Sequence, residues 1–355
     1  MSIRLKPYVF FVDVVGTCNL RCPSCPIGNT RPNALPQGAM TVETLDGIVK
    51  KAKRELGYVA FHLYNWTEPL LHPKIGQLIR AVNDNGVACH ISTNLNIGKK
   101  IEEVAEAAPA SVRVSVSGFD QGVYAQTHRK GDVDKVRENM KKLSDAVARR
   151  GRRTELNLLF HRYLGNHADE AAMRNFSQAL GYNFETVWAY LMPLEKNIEF
   201  AQDGIDSDSL SAEDKALIKK LALPLGEAIE VSKRSRISDC ALRADQYALD
   251  VEGNVSLCCA VYNSDDRVVG NYLKESHSVL HDRKYAHSLC STCMRHGLHV
   301  LATYGEAKTF DALALSNVKQ HFPDVRLAAS RPAARRGMFG KLKRGVSRGL
   351  RAMLR

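Results

Sequence analysis

Two periods of apolar spacing alternate along the first half of the chain. Tyr8 to Val15 is an apolar run interrupted by Asp13, and it reads as a first strand. Further strand-like stretches are Tyr58–Trp66, Val87–Asn94, Ser111–Gly118 (strict period two), Glu155–Phe160 and Phe184–Leu191. Between them the spacing turns helical. One helix starts near Thr41 and stops before Gly57. Pro73–Asn85 follows, with Gly86 at the stop position, then Lys99–Ala108. Val133, Val136, Met140, Leu143 and Val147 mark one face of the next helix, and Glu170–Leu180 ends at Gly181. Six strands with helices between them predict an α/β fold, a parallel sheet covered by helices. Closed as a partial, TIM-like (β/α)6 barrel, it would present ligands at the carboxyl ends of its strands.

The second half reads differently. Glu195 to Ser209 is acidic and polar and reads as a linker. Ser211 with Asp214 three residues on forms a capping-box pattern that starts a helix. Tyr247–Val251 and Asn254–Leu257 flank Glu252-Gly253 as a hairpin. These changes divide the chain into 1–205 as a core barrel, 206–310 as a small α+β region and 311–355 as an extension.

Composition narrows the function. No run is long and apolar enough to span a bilayer. No cleavage-type segment follows the first apolar run, so no signal peptide is read and a cytoplasmic location is expected. Nine cysteines in such a chain argue for metal ligands over disulfides. The net charge is +12, but Arg331 to Arg355 holds nine Lys/Arg and no Asp/Glu. The rest is close to balanced, which argues against a nucleic-acid partner. In that tail Phe339, Leu342, Val346, Leu350, Met353 and Leu354 recur at helical spacing among basic residues, although Gly340, Gly345 and Gly349 weaken helicity. Such a basic amphipathic segment suits peripheral contact with an anionic cytoplasmic membrane surface, or else stays a solvated tail.

The chemistry concentrates in Cys18-Asn-Leu-Arg-Cys22-Pro-Ser-Cys25, directly after the first strand. Thiolates suit iron–sulfur clusters or zinc. Three thiolates on a four-iron cluster leave one iron open for a substrate or cofactor. The same residues could be half of a zinc site or unrelated buried thiols. The C-x3-C-x2-C spacing at a strand end resembles the radical S-adenosylmethionine (SAM) superfamily. That resemblance implies a 4Fe-4S cluster on Cys18, Cys22 and Cys25 whose open iron chelates SAM, with an electron from the cluster cleaving SAM to methionine and a 5′-deoxyadenosyl radical.

Later loops carry the resemblance further. In Tyr64-Asn-Trp-Thr-Glu68-Pro69, Glu68 and Pro69 match the end of the family's Gly-Gly-Glu-Pro segment, while Asn65, Trp66 and Thr67 depart from it. The resemblance gives Glu68 the SAM ammonium, a suitable task for a carboxylate. Ser92-Thr-Asn94 is similar to the ribose-contacting segment, and it assigns Ser92 and Asn94 to SAM. Ser115-Val-Ser117-Gly118 and Tyr124-Ala-Gln-Thr-His128-Arg129 resemble a run seen in members with extra clusters. Arg129 would pair with the SAM carboxylate. Ser24 stands where an aromatic often meets adenine, so another residue would have to supply that contact. Cys89, inside a strand, reads as a buried small hydrophobe.

A second cysteine set follows: Cys240, Cys258-Cys259 and Cys290-Ser-Thr-Cys293. Four thiolates suit tetrahedral zinc or a four-iron cluster, and spacing alone does not choose between them. Cys240-x12-Gly253-x4-Cys258 resembles the hairpin of the C-terminal SPASM/twitch region. No cysteine follows Cys293, which implies the shorter twitch form with one auxiliary 4Fe-4S cluster on Cys240, Cys258, Cys290 and Cys293, and Cys259 as the substitute for Cys258. The resemblance runs from about Val9 to Gly297. It implies hydrogen abstraction from substrate, with the auxiliary cluster taking up the remaining electron in a two-electron oxidation. Within the twitch branch it points to dehydrogenation of a sugar, cyclitol or related small molecule, served by an external electron donor such as flavodoxin or ferredoxin. A second reading is a peptide- or protein-modifying radical SAM enzyme, against which no small N-terminal leader-recognition domain is visible. A third, of another class, is a zinc-binding membrane-docking scaffold, which leaves the strand-end triplet unexplained.

Overall fold

The strands form where the apolar spacing places them, most of them trimmed at their carboxyl ends where the chain turns into loops. In the computed structural model, which describes residues 6–29, 35–151, 153–263 and 265–327, β1 is Tyr8–Val12, β2 Val59–His62, β3 Ala88–Thr93, β4 Ser111–Val116, β5 Glu155–Arg162 and β6 Asn183–Trp188. Three more follow: β7 Gln246–Leu249, β8 Asn254–Ser256 and β9 Val268–Asn271. All nine lie in one sheet of order β6-β5-β4-β3-β2-β1-β7-β8-β9. β1 to β6 are parallel neighbours, with Phe10 opposite Phe61 and Ser92 opposite Arg113. The expected hairpin forms as β7–β8. Gly253 takes the left-handed φ of 77° that its turn requires. β7 also runs parallel to β1, with Tyr247 opposite Phe10, so the second cysteine region continues the sheet of the first.

Alternation along the strands assigns the two faces. On β4, Val112, Val114 and Val116 are buried, while Ser111, Arg113 and Ser115 stay partly accessible. The apolar face packs on the helices. Leu45, Ile48 and Val49 of helix Val42–Leu56, and Leu78, Ile79 and Val82 of helix Ile75–Asp84, belong to one core with Phe61, Ile91 and Val114. Burial of each such side chain contributes about 1.5–3 kcal/mol. Helix Val42–Leu56 is capped by the Thr41 side chain and ends at Gly57, as its sequence predicts. The other face carries Phe11, His62, His90, Ser92, Arg113 and His161, which leaves an inner surface of aromatic and polar groups.

One expected segment is corrected. Glu195 to Ser209 is no linker, because helix Leu194–Asp203 occupies most of it. Several of its polar groups find partners inside the fold. Lys196 pairs with Asp214 at 2.6 Å, both nearly solvent-free, and Asn197 Nδ2 donates to the Leu191 and Pro193 carbonyls. Leu194 and Ile198 supply the apolar side. The capping box of Ser211 and Asp214 forms at helix Ala212–Ile218. The expected tail helix at 331–355 lies outside the described residues. Among the described residues no helix is long and apolar enough to cross a membrane.

Arg162 ends β5 and is buried in a bidentate pair with Glu170, both bonds at 2.8 Å. Arg162→Met leaves the buried Glu170 carboxylate with Arg174 as its remaining partner, at 2.6 Å. It should cost about 3 kcal/mol, read as a fall in the urea midpoint at unchanged slope.

Candidate functional site

The three cysteines expected at the first strand end lie on a tight loop beyond β1. Cys25 N–H donates to the Cys22 carbonyl at 3.1 Å, and the Cys25 carbonyl accepts from Gly28 and Asn29. Gly28 is required there, because a Cβ would fall 2.2 Å from the Cys22 carbonyl oxygen. Arg21 Nη1 donates to the Cys18 and Leu20 carbonyls at 2.7 Å, and its own N–H reaches the Arg129 carbonyl at 3.0 Å. The loop is thus fastened to the Tyr124–Arg129 run beyond β4.

Asp13 organises the neighbouring loop. Sequence reading treats it only as a break in an apolar run. Its Oδ1 accepts from the Asn65, Trp66 and Thr67 N–H groups (3.2, 2.9 and 2.9 Å) and from the Thr67 hydroxyl at 2.7 Å. Asn65, Trp66 and Thr67 are the residues that depart from the Gly-Gly pattern. The carboxylate compensates by holding their backbone in place. The signal was the acid itself, since a carboxylate inside a strand end needs partners.

Glu68 is buried. It accepts from Thr93 Oγ1 at 2.6 Å, from the Asn94 N–H at 2.8 Å and from the Leu70 N–H at 3.1 Å. It therefore ties the β2 loop to the end of β3. Asn94 Nδ2 lies 3.8 Å from Cys18 Sγ and donates to Asn19 at 3.0 Å. Ser92, two residues earlier on the same face, meets Ser115 and Arg113. Arg129 is half-exposed and pairs with Glu213 at 3.1 Å, and its charge is felt at Cys22. Tyr163, just after β5, hydrogen-bonds Ser24 and lies near Cys22 and Cys25. It supplies the aromatic neighbour that Ser24 does not.

Electrostatics tests the donors. Burial pushes the Cys18 thiol up to about 12, with the Glu68 and Cys25 charges adding to it. Burial pushes Cys25 up to about 11, with Asp13 adding to it. Burial also raises Cys22, and then the charges of Cys25 and Cys18 do. Among the described residues no three His, Cys, Asp or Glu side chains stand close enough to share one metal ion. Three partly buried thiols, two of them raised by neighbouring thiols and the third by Asp13, are stable as thiolates only against concentrated positive charge, which an iron cluster would supply. The donor set therefore fits a cluster held by three cysteines.

Burial raises the Glu68 carboxyl to about 7, with its three hydrogen bonds pulling the other way. Folded Glu68 thus holds its proton more tightly than the unfolded chain does. Its contribution to stability is complete at acid pH and falls as pH rises from about 4.3 towards 7, then levels off. Urea unfolding at a series of pH values should show this limb, flattened in Glu68→Gln.

Comparison with known proteins gives a family match for part of the chain. Residues 12–172 match the model of the radical SAM superfamily. These residues form a radical SAM domain. No curated protein matches the sequence significantly. The fold is shared with solved structures at low identity, among them proteins bound to S-adenosylmethionine. SuiB of Streptococcus suis bound to S-adenosylmethionine superposes with a TM-score of 0.53 at 13% identity, over 80% of this chain and 67% of that one. His-tagged anSMEcpe with bound AdoMet gives 0.53 at 14%, over 90% of this chain and 96% of that one.

The radical SAM domain ends before the second cysteine set. Cys240, Cys258, Cys290 and Cys293 all line one cavity of about 30 Å³ with Arg243, Met294 and His299. Cys259 instead turns to Gln246, its Sγ 3.5 Å from Oε1. Burial first, then neighbouring thiols, raise Cys240 to about 11 and raise Cys293 as well. Two cations that sequence reading missed attend them. Arg243 Nη1 lies 3.7 Å from Cys290 Sγ. Lys284 is buried, donates to the Gln246 and Arg243 carbonyls at 2.6 and 2.8 Å, and is lowered to about 8 by burial while the thiols pull it up. A lysine in an ordinary helical pattern gave no warning. Four thiols around one cavity beside two cations are donors of the kind an anionic metal–thiolate cluster needs, although no three of them stand close enough to share a single ion. Cys258→Ala should then lose the metal of this site and Cys259→Ala should keep it, read by metal analysis of reconstituted protein.

Proposed function

We propose that the chain holds a 4Fe-4S cluster on Cys18, Cys22 and Cys25, and that Glu68, Ser92, Asn94 and Arg129 position SAM beside it. The observation that carries this is the contact of Asn94 with Cys18, which sets the Ser92-Thr-Asn segment against the cysteine loop. With SAM, such a cluster supplies a radical that removes a hydrogen atom from an unactivated C–H bond. The chain's own task is to hold the reactants and exclude water. Asp13 and Glu68 fix the loop backbones, and the inner face of the sheet carries the substrate. The reaction proposed is a two-electron dehydrogenation of a sugar, cyclitol or related small molecule. Support comes from the four-cysteine cavity, where an auxiliary 4Fe-4S cluster would provide an electron acceptor. The core at 1–205, the auxiliary region at 206–310 and the extension from 311 are the corresponding domains. A flavodoxin or ferredoxin would supply reducing electrons in a cytoplasmic enzyme, and the 331–355 tail would touch an anionic membrane surface.

Peptide modification is the second reading. SuiB bound to its precursor peptide SuiA and anSMEcpe bound to the Cp18Cys peptide share this fold, with TM-scores of 0.54 and 0.51. One experiment separates the two. Reduced, anaerobically reconstituted protein is given SAM with either deuterated cyclitols and sugars or deuterated peptides. Deuterium transferred into 5′-deoxyadenosine from the first group supports dehydrogenation, and transfer from peptides alone supports the second reading. No 5′-deoxyadenosine above the SAM-free blank sinks both.

A further inference from the structure

The inner face of the sheet carries a guanidinium that none of the assigned roles uses. Arg113 stands in the middle of β4. Its Nη2 donates to the Tyr64 hydroxyl at 2.9 Å and its Nε to Ser92 Oγ at 3.3 Å, and its plane lies 5.1 Å from the Tyr64 ring centre. Tyr64 is held in turn by His62 Nδ1 at 2.8 Å. A guanidinium has five N–H donors; these two hydroxyls take two of them, and neither carries charge. Among the described residues Arg113 has no ion-pair partner.

The surroundings do not neutralise it. His62, His90 and His161 share the inner face. Burial lowers all three first, and the Arg113 charge lowers them further, so they stay neutral at physiological pH. Glu185 on β6 is within electrostatic reach but makes no ion pair with Arg113; burial raises its carboxyl and the Arg113 charge pulls it back down. Asn157, which pairs in register with Arg113, and Ser111, Ser115 and Phe11 are uncharged, and Glu155, one row further out on β5, takes its hydrogen bond from Asn183 at 2.7 Å and not from Arg113. A positioned fork with a formal charge and only neutral partners is the arrangement that recognises carboxylate or phosphate.

Its depth matches the chemistry. Ser92 pairs in register with Arg113. Asn94, one step further along the same face, is the residue that touches Cys18. Arg113 therefore lies one row of side chains below the cysteine loop, where a substrate under bound SAM would extend. We infer that Arg113 anchors an anionic group, a carboxylate or a phosphate, on the substrate. This rests on the reading that the inner face is the substrate site. It deepens that reading by requiring an acidic substrate.

Calorimetric titration of the anaerobically reconstituted full chain with inorganic phosphate, acetate and neutral acetamide tests the anchor without turnover. One of the two anions should bind saturably, and Arg113→Met should weaken it about tenfold or more. Acetamide should show no dependence on Arg113. Phosphate alone would mean a phosphorylated substrate, acetate alone a carboxylated one. Arg113→Lys keeps the charge and loses the fork, so it should retain part of the affinity. If Arg113→Met fails to fold, the lysine variant carries the test, and an affinity equal to wild type overturns the fork. Anion binding unchanged in a folded Arg113→Met protein with wild-type iron content overturns the anchor. Because binding is read apart from SAM cleavage, an active enzyme with Arg113-independent binding sinks only the anchor. Arg113-dependent binding without SAM cleavage sinks only the enzymatic reading.

Discussion

Replacing Cys18, Cys22 and Cys25 together with alanine should abolish SAM cleavage and lower the iron content of reconstituted protein from about eight to about four per chain, as two four-iron clusters require. The size of the effect follows from the donor set. These thiols are partly buried, are raised by desolvation and by neighbouring negative charge, and lie on a loop fastened by Arg21, Gly28 and the Arg129 carbonyl. No other thiol group shares the loop, so nothing replaces them. Iron, sulfide and zinc analysis of wild type and variant distinguishes the outcomes. A fall from about four irons to none, with about one zinc retained at the second site, would keep the radical chemistry and remove the electron acceptor. The dehydrogenation proposal would then yield to redox-neutral chemistry. An unchanged iron content would overturn the assignment of the triplet.

Asp13→Ala carries the second large effect. The substitution deprives three backbone N–H groups and one hydroxyl of their shared acceptor. Each buried donor left unpaired costs about 1–3 kcal/mol, so the sum is about 4 kcal/mol or more. That is a large share of the about 5–15 kcal/mol that holds a domain together. The variant should unfold at much lower urea and lose iron from the first site, because the released 65–67 loop also supplies the Trp66 carbonyl near Cys25. Asp13→Asn keeps an acceptor at the same place and should retain most of the stability. An alanine variant within about 1 kcal/mol of wild type would show that the carboxylate does not organise the loop.

Much of this architecture was legible in residue order. Periods of two and 3.6 located the six parallel strands and the helices behind them, because one face of each element is apolar. Cysteine spacing located both sets, and the Gly253 offset chose Cys258, which lines the cavity while the Cys259 thiol meets Gln246. What stayed hidden depends on pairing at long range. Helix Leu194–Asp203 looked like a linker because its charged and amide residues are buried against partners elsewhere, such as Asp214. Asp13, Tyr163, Lys284 and Arg113 carry no local pattern. Each gains meaning only from groups that the sheet brings beside it.

The backbone bonds between β1 and β7 have a consequence for how the protein is made. Val9 donates to Asp245 and Asp13 to Leu249, both at 2.9 Å. β1 leaves the ribosome well before β7, so one of its two edges stays bare until β7 has been synthesised. An apolar edge such as Val9-Phe-Phe-Val12 is a template for association with other chains. Production of the amino-terminal part alone should therefore give aggregates, and full-length protein should benefit from slow translation or chaperones. The strand that delivers the second set of thiols is also the lid on the nascent chain's most adhesive edge.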